Sequence, residues 1–143
     1  LRIARAIAGA LPANAASPVG TTGSVLLVLS TSAFSPIPDL AISNGLRPGL
    51  AMLTKQLADE LGPRGIRVNA IAPGRFATER VRSLDASRGD PHLVRQQFES
   101  AIPLGRYGEP DEFGALAAFI LSPRASYLTG TVVTLDGGAS RQP

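Results

Sequence analysis

SNGLRPGLAMLTKQLADELGPRGIRVNAIAP, residues 43–73, reads as one amphipathic helix, a tight turn and one buried strand. Leu46, Leu50, Leu53, Leu57 and Leu61 recur at steps of three or four, which places them on one helical face. Asp59 and Glu60 lie off that stripe, and Gly62-Pro63 supplies the stop that a helix C-terminus favours. The strand predicted over residues 66–72 carries Ile66, Val68 and Ile71, with polar Asn69 inside it. Pro73-Gly74 ends it, because proline cannot donate to a strand ladder. A helix that returns to a β-branched strand through so short a turn is half of a βαβ unit.

Outward from this stretch the same alternation continues. Residues 25–29 are an unbroken run of Val and Leu, the pattern of a strand covered on both faces. That run ends in Ser30-Thr31-Ser32 and a loop holding Pro36 and Pro38. Residues 1–11 read as a helix end, with Leu1, Ala4, Ile7, Ala8 and Leu11 on one face and Arg2 and Arg5 away from it. Residues 12–22 form a small-residue loop. Downstream, residues 75–100 are polar and broken by Gly89, Asp90 and Pro91, which predicts a mobile excursion with short helix. Arg75 reads there as a surface residue and His92 as solvated. Residues 103–110 are a loop, and Pro110 suits the first position of a helix whose start carries Asp111 and Glu112. Phe113, Leu116, Ala117 and Ile120 give that helix its buried face before Pro123. Residues 132–135 form a last strand, stopped by Asp136-Gly137-Gly138. Helix and strand alternate three times, which predicts an α/β fold: three parallel strands with helices on both sides.

Composition narrows the chemistry. A chain of 143 residues, 44% apolar and 17% charged, is globular and of one-domain size. Without cysteine there is neither a disulfide framework nor a thiolate metal site. His92 is the sole histidine, which removes most zinc sites and every Ser-His catalytic arrangement apart from its own. The net charge of +3 comes from arginines scattered along the chain, with Lys55 the only lysine. No basic run or interleaved aromatic stripe points to nucleic acid. No apolar stretch reaches the ~18 residues that span a bilayer, so no membrane partner is expected.

Four stretches then carry a family resemblance: GSVLLVLS from Gly23, LADELGPRGIRVNAIAPG from Leu57 with Thr78 beyond it, PLGRYGEPDEF from Pro103, and YLTGTVVTLDGG from Tyr127. In this order and spacing they resemble the C-terminal half of the short-chain dehydrogenase/reductases, near the 3-oxoacyl-carrier-protein reductase-like members. The resemblance implies a Rossmann-like doubly wound parallel sheet. It implies hydride transfer between NAD or NADP and a small carbonyl or alcohol substrate. It also implies a cytoplasmic homo-oligomer, dimer or tetramer, packed through helices 1–11 and 43–61. By family register, Ser30 holds the substrate oxygen. Pro73, Gly74 and Thr78 belong to the loop that contacts the nicotinamide amide, with Phe76 touching the same region through its backbone. The proton-donating tyrosine position falls on Ser43 and the lysine position on Arg47; neither Tyr107 nor Tyr127 can replace the tyrosine by register.

Three expectations follow from where the chain departs from the family. Pro48 disfavours α geometry at Arg47, so the helix is expected to begin as late as Pro48. No G-x-G-x-x-G or G-x-x-x-G-x-G occurs, so residues 1–143 are expected to be a single domain equal to the C-terminal half of the family fold, lacking the dinucleotide-binding half. The strand at 25–29 is then expected at a sheet edge. The alternative is a non-catalytic binding or assembly subunit, or a truncated fragment.

Overall fold

The computed structural model describes residues 2–11 and 23–141. Its architecture is set by β2 (Ile66–Pro73), in which every residue from 66 to 72 is buried. Alternate side chains go to opposite faces. Ile66 and Val68 pack with Leu57, Ala58 and Leu61 of α2 (Ala41–Leu61) and with Ala8 of α1 (Arg2–Ala10). Each fully buried Ile, Val or Leu side chain among these is worth ~1.5–3 kcal/mol. On the other face, Arg67 reaches the end of α5 (Pro110–Leu121), donating to the carbonyls of Leu121 (3.4 Å), Ser122 (3.1 Å) and Leu128 (3.1 Å). A cation at the C-terminal end of a helix meets the negative end of its dipole. Asn69 joins the same connection, donating to the Leu128 carbonyl at 2.8 Å and accepting from the Thr131 amide at 3.3 Å. The polar residues of the central strand thus fasten the helix-to-strand crossover.

β1 (Gly23–Val28) and β3 (Val132–Leu135) flank β2, both parallel to it, in the order β1-β2-β3. Val28 pairs with Ile71, and Pro73 with Leu135. The three-stranded parallel sheet with helices on both sides is as expected. So is the edge position of β1 among the described strands, where Val28 is 55% exposed. The 1–11 helix spans Arg2–Ala10, and its Arg5 makes a two-pronged pair with Glu60 at 2.8 and 2.7 Å. Leu1 and the loop at 12–22 lie outside the described residues. No helix among those described is long and apolar enough to cross a membrane.

Four expectations are corrected. Pro48 does not delay the helix: α2 begins at Ala41 and carries Pro48 in its interior. The turn ahead of the proline is held from outside. Asn44 accepts from the Ile37 amide at 3.0 Å and returns a donor to its carbonyl at 2.8 Å. Leu46 is not core but 63% exposed, because the buried face of α2 forms only after Pro48; Ile7 is likewise exposed. The short helix expected in the polar stretch 75–100 is present, but as two capped helices that fill most of it, α3 (Glu79–Ala86) and α4 (Pro91–Ser100). Thr78 caps α3 by accepting from Val81, and Asp90 caps α4 by accepting from His92. Arg75 is also no plain surface residue, being paired with Asp85.

Gly74 sets how closely the ends of β2 and β3 meet. Its amide donates to the Leu135 carbonyl at 2.9 Å, and a Cβ there would lie 2.6 Å from Asp136 Cβ and 2.9 Å from its Cα. Gly74→Ala therefore has to push backbone apart. It is expected to cost ~1–3 kcal/mol in urea unfolding; a loss below about 0.5 kcal/mol would show that the two turns separate freely.

Candidate functional site

Parallel pairing puts the carboxyl ends of β1 and β2 side by side, and both groups of candidate residues leave the sheet there. Ser30 follows Val28 by two positions, as Pro73 follows Ile71, the residue paired with Val28. The outer rim of such strand ends is where open α/β sheets hold ligands.

On the β1 side, Ser30 caps a short 3-10 turn, Thr31–Ala33; its Oγ accepts from the Ser32 amide at 3.2 Å. Ser43, in the first turn of α2, lies against this turn with its Oγ 2.8 Å from Ser32 Oγ. The structure therefore brings Ser30 and Ser43 to one place, with Ser32 between them. Arg47, one turn further along α2, donates from Nη1 to the Val28 carbonyl at 2.5 Å. This guanidinium satisfies an acceptor on the open side of the edge strand.

On the β2 side, Gly74 is committed to Leu135 and the Thr78 amide to the Phe76 carbonyl at 2.7 Å. Phe76 is buried, its backbone bridged to Gly108 and its ring edge-on to Phe113 at 6.0 Å. Thr78 Oγ1 accepts from Val81 at 3.3 Å, which leaves its hydroxyl hydrogen uncommitted among the described residues. A nicotinamide amide therefore fits this loop at one side-chain donor, Thr78. For the pyrophosphate the fit fails: none of α2, α3, α4 and α5 opens on a glycine-rich turn.

Two features had no signal in the sequence. Ser32 is one, since its spacing of eleven to Ser43 crosses a loop and matches no helical or strand period. The other is a cleft of about 620 Å³ between α3 and α4, lined by Glu79, Arg82, Ser83, His92 and Tyr107 among others. Its floor is anchored by a buried cluster. Arg75 Nη1 lies 2.7 Å from Asp85 Oδ1 and donates to Tyr107 Oη at 3.1 Å, while Tyr107 Oη donates to Asp85 Oδ2 at 2.9 Å. The Arg75 guanidinium also stacks 3.4 Å from the Phe98 ring centre. Burial, reinforced by the hydrogen bond to Asp85, pushes the Tyr107 phenol up to about 12.

That shift has a sign. A native phenol that ionises only near 12, against about 10 unfolded, keeps a proton the unfolded chain has lost, so its contribution is complete below pH 10 and disappears as pH rises towards 12. Relative to Tyr107→Phe, the wild type is expected to lose roughly 2–3 kcal/mol of unfolding free energy over that window, read by denaturant titration. At neutral pH, Tyr107→Phe is expected to cost ~1–3 kcal/mol, because Asp85 loses a buried donor. Parallel pH curves for the two proteins would remove Tyr107 from the cluster's energetics.

A sequence model of the family described as enoyl-(acyl carrier protein) reductase matches residues 3–140. The 3beta-hydroxysteroid dehydrogenase 1 of Eggerthella lenta is 40% identical over 121 residues, covering 85% of this chain and 45% of that protein. The 3-oxoacyl-(acyl-carrier-protein) reductase FabG of Aquifex aeolicus is 40% identical over 92 residues, 64% of this chain and 35% of that one. Among solved structures, an NADPH-bound short chain oxidoreductase from Pseudomonas aeruginosa PAO1, containing an atypical catalytic center, superposes with a TM-score of 0.75 at 30% identity, covering 84% of this chain and 47% of that one. A short chain dehydrogenase family protein from Francisella tularensis gives 0.79 at 30%, covering 87% and 52%. The chain thus spans about half the length of the relatives it matches. With a parallel α/β sheet, the strand-end geometry and a family match along nearly its whole length, the chain belongs to the short-chain dehydrogenase/reductases, among those like the 3-oxoacyl-(acyl-carrier-protein) reductases.

Proposed function

We propose that this chain carries the substrate-holding half of an oxidoreductase that uses NAD or NADP to reduce a small carbonyl compound, or to oxidise the alcohol, with the pair Ser43 and Arg47 where relatives carry tyrosine and lysine. The observation that supports this reading most is the hydroxyl cluster Ser30, Ser32 and Ser43 beside the Pro73–Thr78 loop, at the shared carboxyl rim of β1 and β2. One of the solved relatives is itself described as having an atypical catalytic center.

A nicotinamide, when bound, would supply the hydride. The Thr78 hydroxyl would hold the ring amide, and the Ser30 hydroxyl, its oxygen fixed by the Ser32 amide, would donate to the substrate oxygen. Ser43 occupies the acid position but is an aliphatic hydroxyl, far weaker as an acid than a phenol of pKa ~10. It is also shorter. The proton accordingly comes from water, and the rate forgoes the ~10²–10⁴ that a positioned general acid supplies. Orientation of donor and acceptor survives. In the whole protein we place the exposed apolar residues Ile7, Ile42 and Leu46 in a homo-oligomeric contact through α1 and α2, and the protein in the cytoplasm. The second reading, a non-catalytic assembly subunit, is favoured by one observation: Arg47 is engaged with Val28 instead of being free for a ribose.

In the protein with its complete coding sequence, Ser43→Tyr combined with Arg47→Lys is expected to raise carbonyl reduction ~10²-fold, with a new pH limb from the phenol. Because α2 runs through Pro48, no further change is needed to direct the pair. Ser30→Ala should lower the rate in both backgrounds. No gain from the double change, with cofactor binding intact, would favour the assembly subunit. The 143-residue chain alone is expected to show no measurable heat of binding with NADH or NADPH; a micromolar Kd by calorimetry would contradict the missing pyrophosphate cradle.

A further inference from the structure

We infer that Ser32 is a positioning residue that turns Ser43 into an outward-pointing hydrogen-bond donor. The inference rests on the reading above, in which Ser43 occupies the acid position.

Burial decides the direction of the bond between the two hydroxyls. Ser32 is 3% exposed, and its hydroxyl makes its one hydrogen bond to the described residues at Ser43 Oγ, 2.8 Å away. A buried O–H that finds no acceptor is costly, so the Ser32 hydrogen goes to Ser43. Ser43 is only half-buried and can send its own hydrogen to the open side. With Ser32 donating, Ser43 Oγ is an acceptor inward and a donor outward. Accepting one hydrogen bond also polarises the next, so Ser43 donates more strongly than an isolated serine.

Both partners are held rigidly. Ser32 sits in the 3-10 turn closed by the Ala33 amide on the Ser30 carbonyl at 2.9 Å, and its own amide fixes Ser30 Oγ. Ser43 adjoins Asn44, which is bound twice to Ile37. One short turn thus sets two hydroxyls, Ser30 through an amide and Ser43 through a side chain. No proton leaves the protein in this arrangement: Ser43 contributes a hydrogen bond to the oxygen that gains charge, not an acid.

The test is a double-mutant cycle on the whole protein, with Ser32→Ala, Ser43→Ala, both together, and Ser32→Thr as the conservative variant. In urea unfolding the two alanine changes are expected to couple by about fivefold in the equilibrium constant. In carbonyl reduction, Ser43→Ala should lower kcat about tenfold or more. Ser32→Ala should lower kcat about three- to tenfold with KM little changed, only while Ser43 is present, and Ser32→Thr should restore the rate. An equal loss from Ser32→Ala in the wild-type and Ser43→Ala backgrounds would make Ser32 merely structural and overturn the inference, as would additive unfolding effects. If Ser43→Ala leaves the rate unchanged, or the protein reduces no carbonyl, the reading of Ser43 fails and the inferred role with it, while the unfolding cycle still decides whether the hydroxyls are paired.

Discussion

Parallel pairing of a fully buried strand governs this molecule. β2 has neighbours on both edges and helices on both faces, so none of its backbone groups can rely on water, and every polar side chain in it must find a partner. Arg67 and Asn69 do so by binding the backbone that links α5 to β3, at the cost of one buried, unpaired Nε in Arg67. Burial draws the Arg67 pKa down, but an arginine stays cationic, and its fork is matched to three carbonyls. Because the strands run the same way, their last residues share one rim. The candidate residues at the ends of β1 and β2 are neighbours for that reason.

At that rim the chemistry is spread over small groups. Three serines and an arginine stand there. The serines remain mutually ordered by hydrogen bonds, whereas the arginine has gone to the strand edge. On the opposite side of the rim, Arg75, Asp85 and Tyr107 fasten the two polar helices to the loop after β2, with Phe98 beneath the guanidinium. Removing one partner from such a buried pair would strand the other charge.

The sequence made the central framework legible because its signals are local and periodic. The helix and strand of residues 43–73, the helix Pro110–Leu121 and the strand Val132–Leu135 each carry their own pattern and their own stop, and the last two were placed to the residue. Residues 75–100 show the limit. Their helices carry few apolar residues, and what fastens them is Arg75, in the loop after β2, and Tyr107, 22 residues beyond Asp85. Pro48 misled for a related reason: a local rule said that the helix should start there, and bonds from Ile37 overrode it. Ser30, Ser43 and Arg47 were identified by register with the family, which fixes position along the chain but not what a side chain grips. Hence the register gave no sign of Ser32 or of the Val28 carbonyl that Arg47 reaches.

The interior proline of α2 has one more consequence, for the order of motion. Pro48 has no amide to pass the helical ladder back to Asn44, so residues 41–47 are joined to the rest of α2 by fewer bonds than an unbroken helix would provide. Their attachment runs sideways, through Ser32, Ile37 and Val28. Local opening in such a segment is set by its own few bonds and not by the core below it. The first turn of α2 and the 3-10 turn beside it therefore form a small unit that can loosen and re-form while Leu57 and Leu61 stay packed, so that amides of residues 41–47 exchange with solvent on a different clock from those of residues 54–61.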